Sequence, residues 1–481
     1  MSERVPPDPK GMGGRFARGA AYVGAANWTS YALNFAIAIL VARILGPEAF
    51  GEYAFVVAIN EFVNIVNGLA IAPALVQSRT ESDRLYDTGY AVSFVQALVG
   101  LVISLAIAAV LAHERSMQSA SFILLLAVAR FPILLADVVT AGLNRNVRYR
   151  AIAAIDLSTR SLPNLACLWL AWIGWGPLSL ILRDVAMGVL PWILAHWWSG
   201  YRYRGRLGRA ELRALMSYSG PMFVSRMLDI FLARFDRLVV GWFFGARAIG
   251  LYHQARFVAD AGTIASAPVT TVTFNLYARL QDDPPRLGRA YGLVNYFLAR
   301  VSLAGSTTLL IAPEAVVRLL LGEEWLAAAP VLRILGLYAG LAMLLLNSQV
   351  LLFARGAIFT NVRLRLAQLA VLGPGVVAAA WAGDVAIAAL AVLASTALAV
   401  ALAWFMSRDV TRGHGARTYA APLLALAGTV ALALALAPWT ARLPWWSLPF
   451  LPPPVFLALL ALFERGELVR QVAYLRGQIR G

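Results

Sequence analysis

The sequence has a single lysine and a single cysteine among its 481 residues. A Walker A phosphate loop needs a lysine among its glycines, and Lys10 near the N-terminus is in no such motif, which excludes ATP hydrolysis by that route. The lone Cys167 excludes a disulfide framework and a cysteine-based metal site. The four histidines are scattered without the spacing of metal ligands. We therefore expect neither a metal nor another cofactor.

Charge is also scarce. Charged residues make up only 14% of the sequence, whereas hydrophobic residues make up 60%. A soluble globule needs more polar surface than this, and hydrophobic runs of about 20 residues, long enough to span a bilayer, recur along the whole chain. No hydrophilic segment is long enough for an extramembrane catalytic domain, so we expect no enzyme. The net charge of +16 is explained by arginines at helix ends and does not indicate nucleic acid.

The hydrophobic runs predict an all-α integral membrane fold of about fourteen transmembrane helices. The predicted helices lie near residues 19–42, 52–77, 88–112, 119–142, 151–173, 177–199, 215–244, 250–278, 288–312, 327–354, 361–382, 384–406, 418–439 and 444–463. The first run is too long for a signal-peptide core and is predicted to be a retained helix.

Arginines are distributed unevenly between the connections. Those after odd-numbered predicted helices hold five, which are Arg43, Arg115, Arg247, Arg318 and Arg442. The even-numbered connections and their flanking helix ends hold several times as many, including Arg145, Arg148, Arg150, Arg202, Arg204, Arg206, Arg209 and Arg213. Because positive residues concentrate in cytoplasmic loops, we expect the even connections and both termini in the cytoplasm.

Two segments resemble each other at an offset of 199 residues. Val41, Gly46, Ala49, Gly51 and Tyr53 recur as Val240, Gly245, Ala248, Gly250 and Tyr252. Chance is one explanation, since Ala and Gly are common in this chain. The other is a parallel repeat of two six-helix bundles that face a central cleft, because each set falls at the turn between the first two helices of a unit.

The repeat predicts a division of the chain into six parts. These are a cytoplasmic N-terminal segment (1–18), an N-terminal six-helix bundle (19–199), a basic cytoplasmic linker (200–214), a C-terminal six-helix bundle (215–406), two extra helices (407–463) and a cytoplasmic tail (464–481).

Charged side chains within predicted membrane helices are candidate functional groups, because a charge in the bilayer is costly. The seventh predicted helix has the most: Arg226, Asp229, Arg234, Asp236 and Arg237. At about 100° per residue, all five fall within a sector of about 160°, which fits a helix that lines a hydrated cavity. The alternative is a set of Arg–Asp pairs that lock helix packing. We favour the cavity, because three arginines against two aspartates leave one cation unpaired.

Asparagines form stripes on the first two predicted helices, at Asn27 and Asn34 and at Asn60 and Asn64. Two interpretations of these stripes are equally compatible with the sequence: interhelical hydrogen bonds, and a cleft wall that binds sugar hydroxyls. Glu61 has no obvious local cation, so it is a candidate for ion or proton coupling unless another helix supplies a partner. Four other sets are interpreted as structural pairs: Arg130 with Asp137, Asp156 with Arg160, Arg183 with Asp184, and Arg256 with Asp260.

Four short segments carry a resemblance to a known family. They are residues 42–53 (ARILGPEAFGEY), 235–241 (FDRLVVG), 248–252 (AIGLY) and 321–325 (LGEEW). In this order they resemble bacterial polysaccharide and O-antigen (Wzx-type) flippases of the multidrug/oligosaccharidyl-lipid/polysaccharide exporter (MOP) superfamily. Each motif is short and rich in Gly or Ala, but four in order are fairly specific, and together with the helix count they cover essentially the whole chain.

The resemblance implies a flippase that moves a polyprenyl-diphosphate-linked oligosaccharide across the bacterial inner membrane by alternating access. It implies the lipid-linked oligosaccharide, membrane lipids and the polysaccharide polymerase machinery as partners. Arginine suits planar contacts with phosphate. The candidate substrate site is therefore Arg226, Arg234, Arg237, Asp229, Asp236, Asn27, Asn34, Asn60 and Asn64, an inference from the residues because the family motifs do not fix substrate contacts.

Two alternatives stay open. A lipid II exporter, or another exporter of the same superfamily, would bind the same diphosphate and polyprenyl parts. A membrane polysaccharide polymerase or ligase would need acidic residues or a long loop at the outer face. The longest hydrophilic stretch, residues 199–215, is basic and predicted to be cytoplasmic, which disfavours an enzyme.

Overall fold

The computed structural model of the protein describes residues 9–66, 69, 71–78, 82–145, 149–411 and 415–464, and within these ranges it contains helices and no β-strand. The helices before residue 282 are α1 (Pro9–Val66), α2 (Ile71–Gln77), α3 (Asp83–Glu114), α4 (Met117–Arg145), α5 (Tyr149–Trp172), α6 (Leu178–Ser199), α7 (Arg209–Ala265) and α8 (Ala267–Leu280). We refer to the helices before and after the linker 200–208 as the two halves of the molecule.

The second half continues with α9 (Pro284–Ile311), α10 (Pro313–Leu320), α11 (Ala329–Ala354), α12 (Ile358–Ala382), α13 (Val385–Met406), α14 (Arg408–Thr411), α15 (Gly415–Ala435), α16 (Ala437–Thr440) and α17 (Pro452–Phe463). Short 3₁₀ helices cover Glu323–Ala328 and Trp445–Phe450.

The predicted all-α membrane fold is confirmed. Ten helical stretches of the described ranges are long and apolar enough to cross a membrane, so this is a multi-pass membrane protein. Helix α7 is not among the ten, because the charges between Arg226 and Arg237 lower its hydropathy. The number of fourteen spans stays a prediction, as does the proposed division into six parts.

Helices α1 and α7 share a kink at equivalent positions. Each is interrupted by one glycine with positive φ, Gly46 (φ 74°) and Gly245 (φ 84°), a conformation that L side chains rarely adopt. The two glycines are separated by the offset of 199 residues found in the sequence. A repeated unit predicts this shared conformation, and a chance similarity does not.

The two halves meet backbone to backbone beside these kinks. A Cβ atom on Gly51 would lie 1.8 Å from the carbonyl oxygen of Ala246, and one on Gly250 would lie 2.1 Å from that of Pro47. Pro47 and Ala246 are themselves separated by 199 residues, so the contact is symmetric. Only glycine permits so close an approach of two backbones. We call this the glycine seam, and the end of the molecule that contains it the seam end; the linker lies at the opposite end.

The last helices pack against α9. Leu303 of α9 forms a small apolar cluster with Ala425 of α15 and Phe456 of α17. Beside it, the buried guanidinium of Arg300 forms an ion pair with Glu464, which also accepts a hydrogen bond from the Tyr296 hydroxyl at 2.9 Å. The Arg300–Glu464 pair therefore fixes the end of α17 to the second half.

Candidate functional site

Charged and tyrosine side chains of α1, α6, α7 and α11 form a group that we call the central charged cluster. Its members are Tyr53, Glu61, Arg183, Asp184, Arg234, Asp236, Arg237, Tyr252, Arg256, Asp260 and Tyr338. Contacts between α1 and α7 bring the two halves together here.

Asp236 is the most deeply buried charge of the cluster, with 1% of its surface exposed. Its carboxylate accepts hydrogen bonds from the Tyr252 hydroxyl at 2.8 Å and from the Arg237 backbone amide at 2.9 Å. Nη1 of Arg256 lies 3.6 Å from the same carboxylate. A buried carboxylate needs this many partners, since burial without them is costly. Asp236 is therefore paired within its own half.

Arg256 and Asp260 form the second part of this network, and their predicted pairing is confirmed by an Nε–Oδ2 distance of 3.2 Å. Arg256 also donates to the Tyr338 hydroxyl at 2.9 Å, and that hydroxyl donates to Asp260 at 2.8 Å. Nη2 of Arg237 lies 3.6 Å from Asp260. Asp236 and Arg237 thus belong to a buried ion-pair network and do not line an open cavity.

The first half has a smaller counterpart. Asp184 accepts hydrogen bonds from the Tyr53 hydroxyl at 2.9 Å and from Nε of Arg183 at 3.0 Å, which confirms the predicted Arg183–Asp184 pair. Arg183 also donates to the Tyr53 hydroxyl at 2.6 Å. Tyr53 and Tyr252 are equivalent in the repeat, and each donates to a carboxylate. Neither tyrosine is predicted as a site residue from the sequence, although the repeat contains both and is the signal that points to them.

The Arg234–Glu61 ion pair connects the two halves, because Glu61 lies on α1 and Arg234 on α7. Their side chains are 26% and 33% exposed, so both are more accessible than the other paired charges of the cluster. The sequence left open whether another helix supplies a partner for Glu61, and Arg234 of α7 is that partner.

The remaining predicted site residues have other partners, flank Glu61 in the sequence, or cannot be placed. Asp229 forms an ion pair with Arg365 of α12, and Asn34 accepts a hydrogen bond from Asn164 at 3.0 Å. Asn60 and Asn64 are half-buried on α1, on either side of Glu61 in the sequence. Two predicted residues, Arg226 and Asn27, have side chains outside the described residues, as does Arg160 of a predicted pair.

Counting charges on one helix predicts one unpaired cation, and Arg226, whose side chain lies outside the described residues, leaves that prediction open. Arg234 and Arg237 both have carboxylate partners, Glu61 and Asp260, and both partners lie outside the predicted seventh helix. A helical wheel compares residues of a single helix, so these partners on other predicted helices do not appear on it.

The seam end is closed by more than the glycine seam. The guanidinium of Arg115 at the end of α3 donates to the Trp242 carbonyl and lies 5.4 Å from the ring centroid of Phe55. Nε of Arg43 donates to the Leu320 carbonyl at 2.6 Å, which ties α1 to the end of α10. The halves are thus held together at this end.

An apolar groove of about 620 Å³ runs between α1, α3 and α7. Its lining includes Ile59 and Phe62, which flank Glu61 in the sequence, and Leu238, which follows Arg237. The groove therefore lies close to the Arg234–Glu61 pair and offers an apolar surface beside it.

Comparisons with known proteins agree with this architecture. A family model described as "Polysaccharide biosynthesis protein" matches residues 40–330. The chain is 24% identical over 326 residues to the succinoglycan biosynthesis transport protein ExoT of Rhizobium meliloti, covering 65% of this chain and 64% of that protein. It is 22% identical over 303 residues to the teichuronic acid biosynthesis protein TuaB of Bacillus subtilis, covering 61% and 62%. The chain thus spans less than two thirds of the length of these relatives.

Solved structures show the same fold. The lipid II flippase MurJ in an inward closed conformation matches with a TM-score of 0.69 and 12% identity, over 93% of this chain and 100% of that one. A MATE family multidrug resistance transporter of the MOP superfamily, in an inward-facing conformation, matches with a TM-score of 0.54 and 14% identity over 80% and 96%. At these identities the likeness concerns the fold alone. Since the family model matches more than half of the sequence, the chain belongs to the polysaccharide biosynthesis protein family.

Proposed function

We propose that this protein is a flippase that moves a polyprenyl-diphosphate-linked oligosaccharide across the bacterial inner membrane by alternating access, with both termini in the cytoplasm. Family membership and the transporter fold support this proposal. The observation that carries it is the Arg234–Glu61 ion pair, an accessible charge pair that joins the two halves within the membrane.

Arg234 is the proposed phosphate ligand. A guanidinium binds phosphate through two parallel hydrogen bonds, and a diphosphate carries more negative charge than the carboxylate it would displace. When the cargo binds Arg234, Glu61 loses its partner, and the ion pair between α1 and α7 is broken. The halves are then free to move relative to each other around the cargo.

Glu61 is the proposed coupling group. A carboxylate without its cation is unfavourable inside a membrane, so a released Glu61 binds a proton or a cation more readily. Loss of that proton or cation would restore the pair with Arg234 once the cargo has left. The exchange links cargo binding to an ion gradient through one side chain.

The rest of the cargo has surfaces that suit it. The apolar groove beside the Arg234–Glu61 pair accommodates the start of the polyprenyl chain, and the remainder stays in lipid. The half-buried amides of Asn60 and Asn64, with Asn34 further along α1, offer hydrogen bonds to sugar hydroxyls.

Proteoliposomes that contain a fluorescent polyprenyl-diphosphate-linked sugar test this function. We expect Arg234→Ala to abolish transfer of the sugar between leaflets, because the phosphate loses its cation. Arg333→Ala is the matched control, since Arg333 also pairs with a glutamate, Glu314, at 2.7 Å. Transfer at the wild-type rate by Arg234→Ala would contradict the proposed site. Glu61→Gln should still bind the sugar but no longer respond to an imposed pH or ion gradient.

The similarity to the MurJ fold keeps lipid II as a second candidate cargo. The same vesicles distinguish the two when lipid II replaces the oligosaccharide. Transfer of lipid II alone would support that alternative, and transfer of the oligosaccharide alone would support our proposal.

A further inference from the structure

A second apolar groove, of about 560 Å³, lies between α3 and the start of α7. Its floor is one face of α3, formed by Thr88, Ala91, Val92, Val95, Gln96 and Val99. These residues are spaced by three and four, as one face of a helix requires, and extend for about 16 Å at 1.5 Å per residue. Val95 and Val99 are exposed although α3 is a membrane helix, so the groove faces lipid.

The groove begins at the linker end of the molecule. The backbone amide of Gly208 in the linker donates to the Thr88 hydroxyl at 3.1 Å, and Arg209 follows as the exposed first residue of α7. Arg209 lines the groove at this end. Residues 202–213 contain five arginines and one acidic residue, Glu211. Asp83 of α3 pairs with Arg204 and Arg206, and arginines still outnumber the carboxylates at this entrance, so it is net positive.

Gln96 is an unusual residue in this floor. It is 5% exposed, and within the described part of the chain neither its amide oxygen nor its amide nitrogen has a hydrogen-bond partner. A buried amide without a partner is costly and calls for a polar group from whatever occupies the site. Since helical side chains point towards the N-terminus, the Gln96 amide lies about one turn nearer to Arg209 than its own Cα does.

We propose that this groove binds one anionic glycerophospholipid of the leaflet at the linker end. Its phosphate contacts Arg209, an ester carbonyl accepts a hydrogen bond from the Gln96 amide, and one acyl chain lies along Val95 and Val99. The length of the groove, about 16 Å, fits one leaflet of a hydrocarbon core that is about 30 Å thick. Basic pockets between membrane helices commonly hold anionic headgroups.

The unpartnered amide favours a phospholipid over the polyprenyl chain of a transported sugar. A polyprenyl chain has no ester carbonyl to offer Gln96, and it is far longer than one leaflet is deep. This site is therefore separate from the central charged cluster and does not depend on the proposed function.

The bound lipid would fix the linker that joins the two halves. Asp87 of α3 already holds this linker, because it accepts hydrogen bonds from the Tyr201 hydroxyl at 2.6 Å and from the backbone amide of Arg206 at 3.0 Å. A headgroup on Arg209 adds a contact one residue beyond the Gly208–Thr88 hydrogen bond.

Binding of defined lipids to the purified full-length protein, measured by native mass spectrometry, tests the proposal. We expect the wild type to bind phosphatidylglycerol more tightly than phosphatidylcholine. Arg209→Ala should weaken phosphatidylglycerol binding about fivefold, since one surface arginine contributes about that much. It should weaken phosphatidylcholine binding less, because the choline cation of that lipid offsets the charge of its phosphate. Arg202→Ala is the matched control, because Arg202 is an exposed linker arginine outside the groove lining. This substitution should change phosphatidylglycerol binding less than about twofold, which is about the limit of such a measurement.

Gln96 is tested by two independent routes. Gln96→Leu should weaken both lipids equally, because both have ester carbonyls. The second route changes the lipid and keeps the wild-type protein, so it does not depend on the folding of a variant. An ether-linked phosphatidylglycerol should bind the wild type as weakly as the ester-linked lipid binds Gln96→Leu. Equal binding of ether and ester lipids by the wild type overturns the proposal. So does an unchanged preference for phosphatidylglycerol in Arg209→Ala, or displacement of that lipid by polyprenyl phosphate.

Discussion

The central charged cluster contains equal numbers of arginines and carboxylates. The four arginines are Arg183, Arg234, Arg237 and Arg256, and the four carboxylates are Glu61, Asp184, Asp236 and Asp260. Removing one partner of a buried pair leaves an uncompensated charge, which is more damaging than replacing both. At the residue scale, the cluster therefore has two kinds of member. Asp236 and its neighbours are buried within the second half, whereas Glu61 and Arg234 are the more exposed pair that we propose exchanges partners.

Tyr252→Phe tests the stabilising role. The substitution removes the hydroxyl that donates to the buried Asp236 carboxylate at 2.8 Å and keeps the ring. Because hydrogen bonds to charged groups contribute about 1.5–3 kcal/mol, we expect the free energy of unfolding to fall by about that amount. Tyr203→Phe, on an exposed tyrosine of the linker, is the control and should leave stability unchanged. Equal stability of the two variants in thermal or denaturant unfolding would argue against the role assigned to Tyr252.

The sequence predicted the charges of this site but only the partners that are close in sequence, Arg183 with Asp184 and Arg256 with Asp260. Arg234, Asp236 and Arg237 stood out because charge inside a membrane is costly. Their partners Glu61 and Asp260 lie on a different helix or beyond the kink at Gly245, so only the packing of α1 against α7 and the kink itself bring them together. Tyr338 could not be identified because nothing in the pattern around it separates it from a core tyrosine.

At the scale of helices, α1 and α7 form the joint between the halves. Each has a positive-φ glycine at its kink and a second glycine in the glycine seam. The side chains of Glu48 and Arg247, which are equivalent in the repeat, are exposed beside this seam. They are suitable positions for labels that report separation of the halves.

Gly51→Ala should open the seam end. The new Cβ would lie 1.8 Å from the Ala246 carbonyl oxygen, so the two backbones must move apart. We expect the distance between spin labels at Glu48 and Arg247 to increase. Gly305→Ala is the matched control, because a Cβ on Gly305 in α9 meets nothing within 4 Å. An unchanged distance in Gly51→Ala would mean that the seam does not hold the halves together.

At the scale of the whole molecule, hydropathy located the long helices and two of the breaks between them, but not the short helices. Helices meet at Gly46 and at Gly245, inside the predicted breaks at 42–52 and 244–250, whereas the short helices α10, α14 and α16 were not predicted. Hydropathy measures how apolar a window is, so it cannot distinguish a kink from a loop or detect helices shorter than a membrane span.

The orientation of the molecule can be tested with single cysteines. Cys167 is 1% exposed, so a membrane-impermeant thiol reagent should not label the native protein. We expect a cysteine that replaces Arg202 in the linker to be labelled only from the cytoplasm. One that replaces Glu48 at the seam end should be labelled only from the periplasm. Labelling of these positions from the opposite sides would reverse the orientation that the arginine distribution predicts.

The glycine seam also determines how easily the closed end can reopen. Two backbones touch there without side chains between them, so there are no rotamers to order each time the contact forms. Closing the seam therefore costs little conformational entropy, and separating it breaks few interactions. No residue is smaller than glycine, so enlargement of one partner cannot be offset by a smaller residue on the other. The contact is therefore easy to reopen, but its glycines tolerate few substitutions.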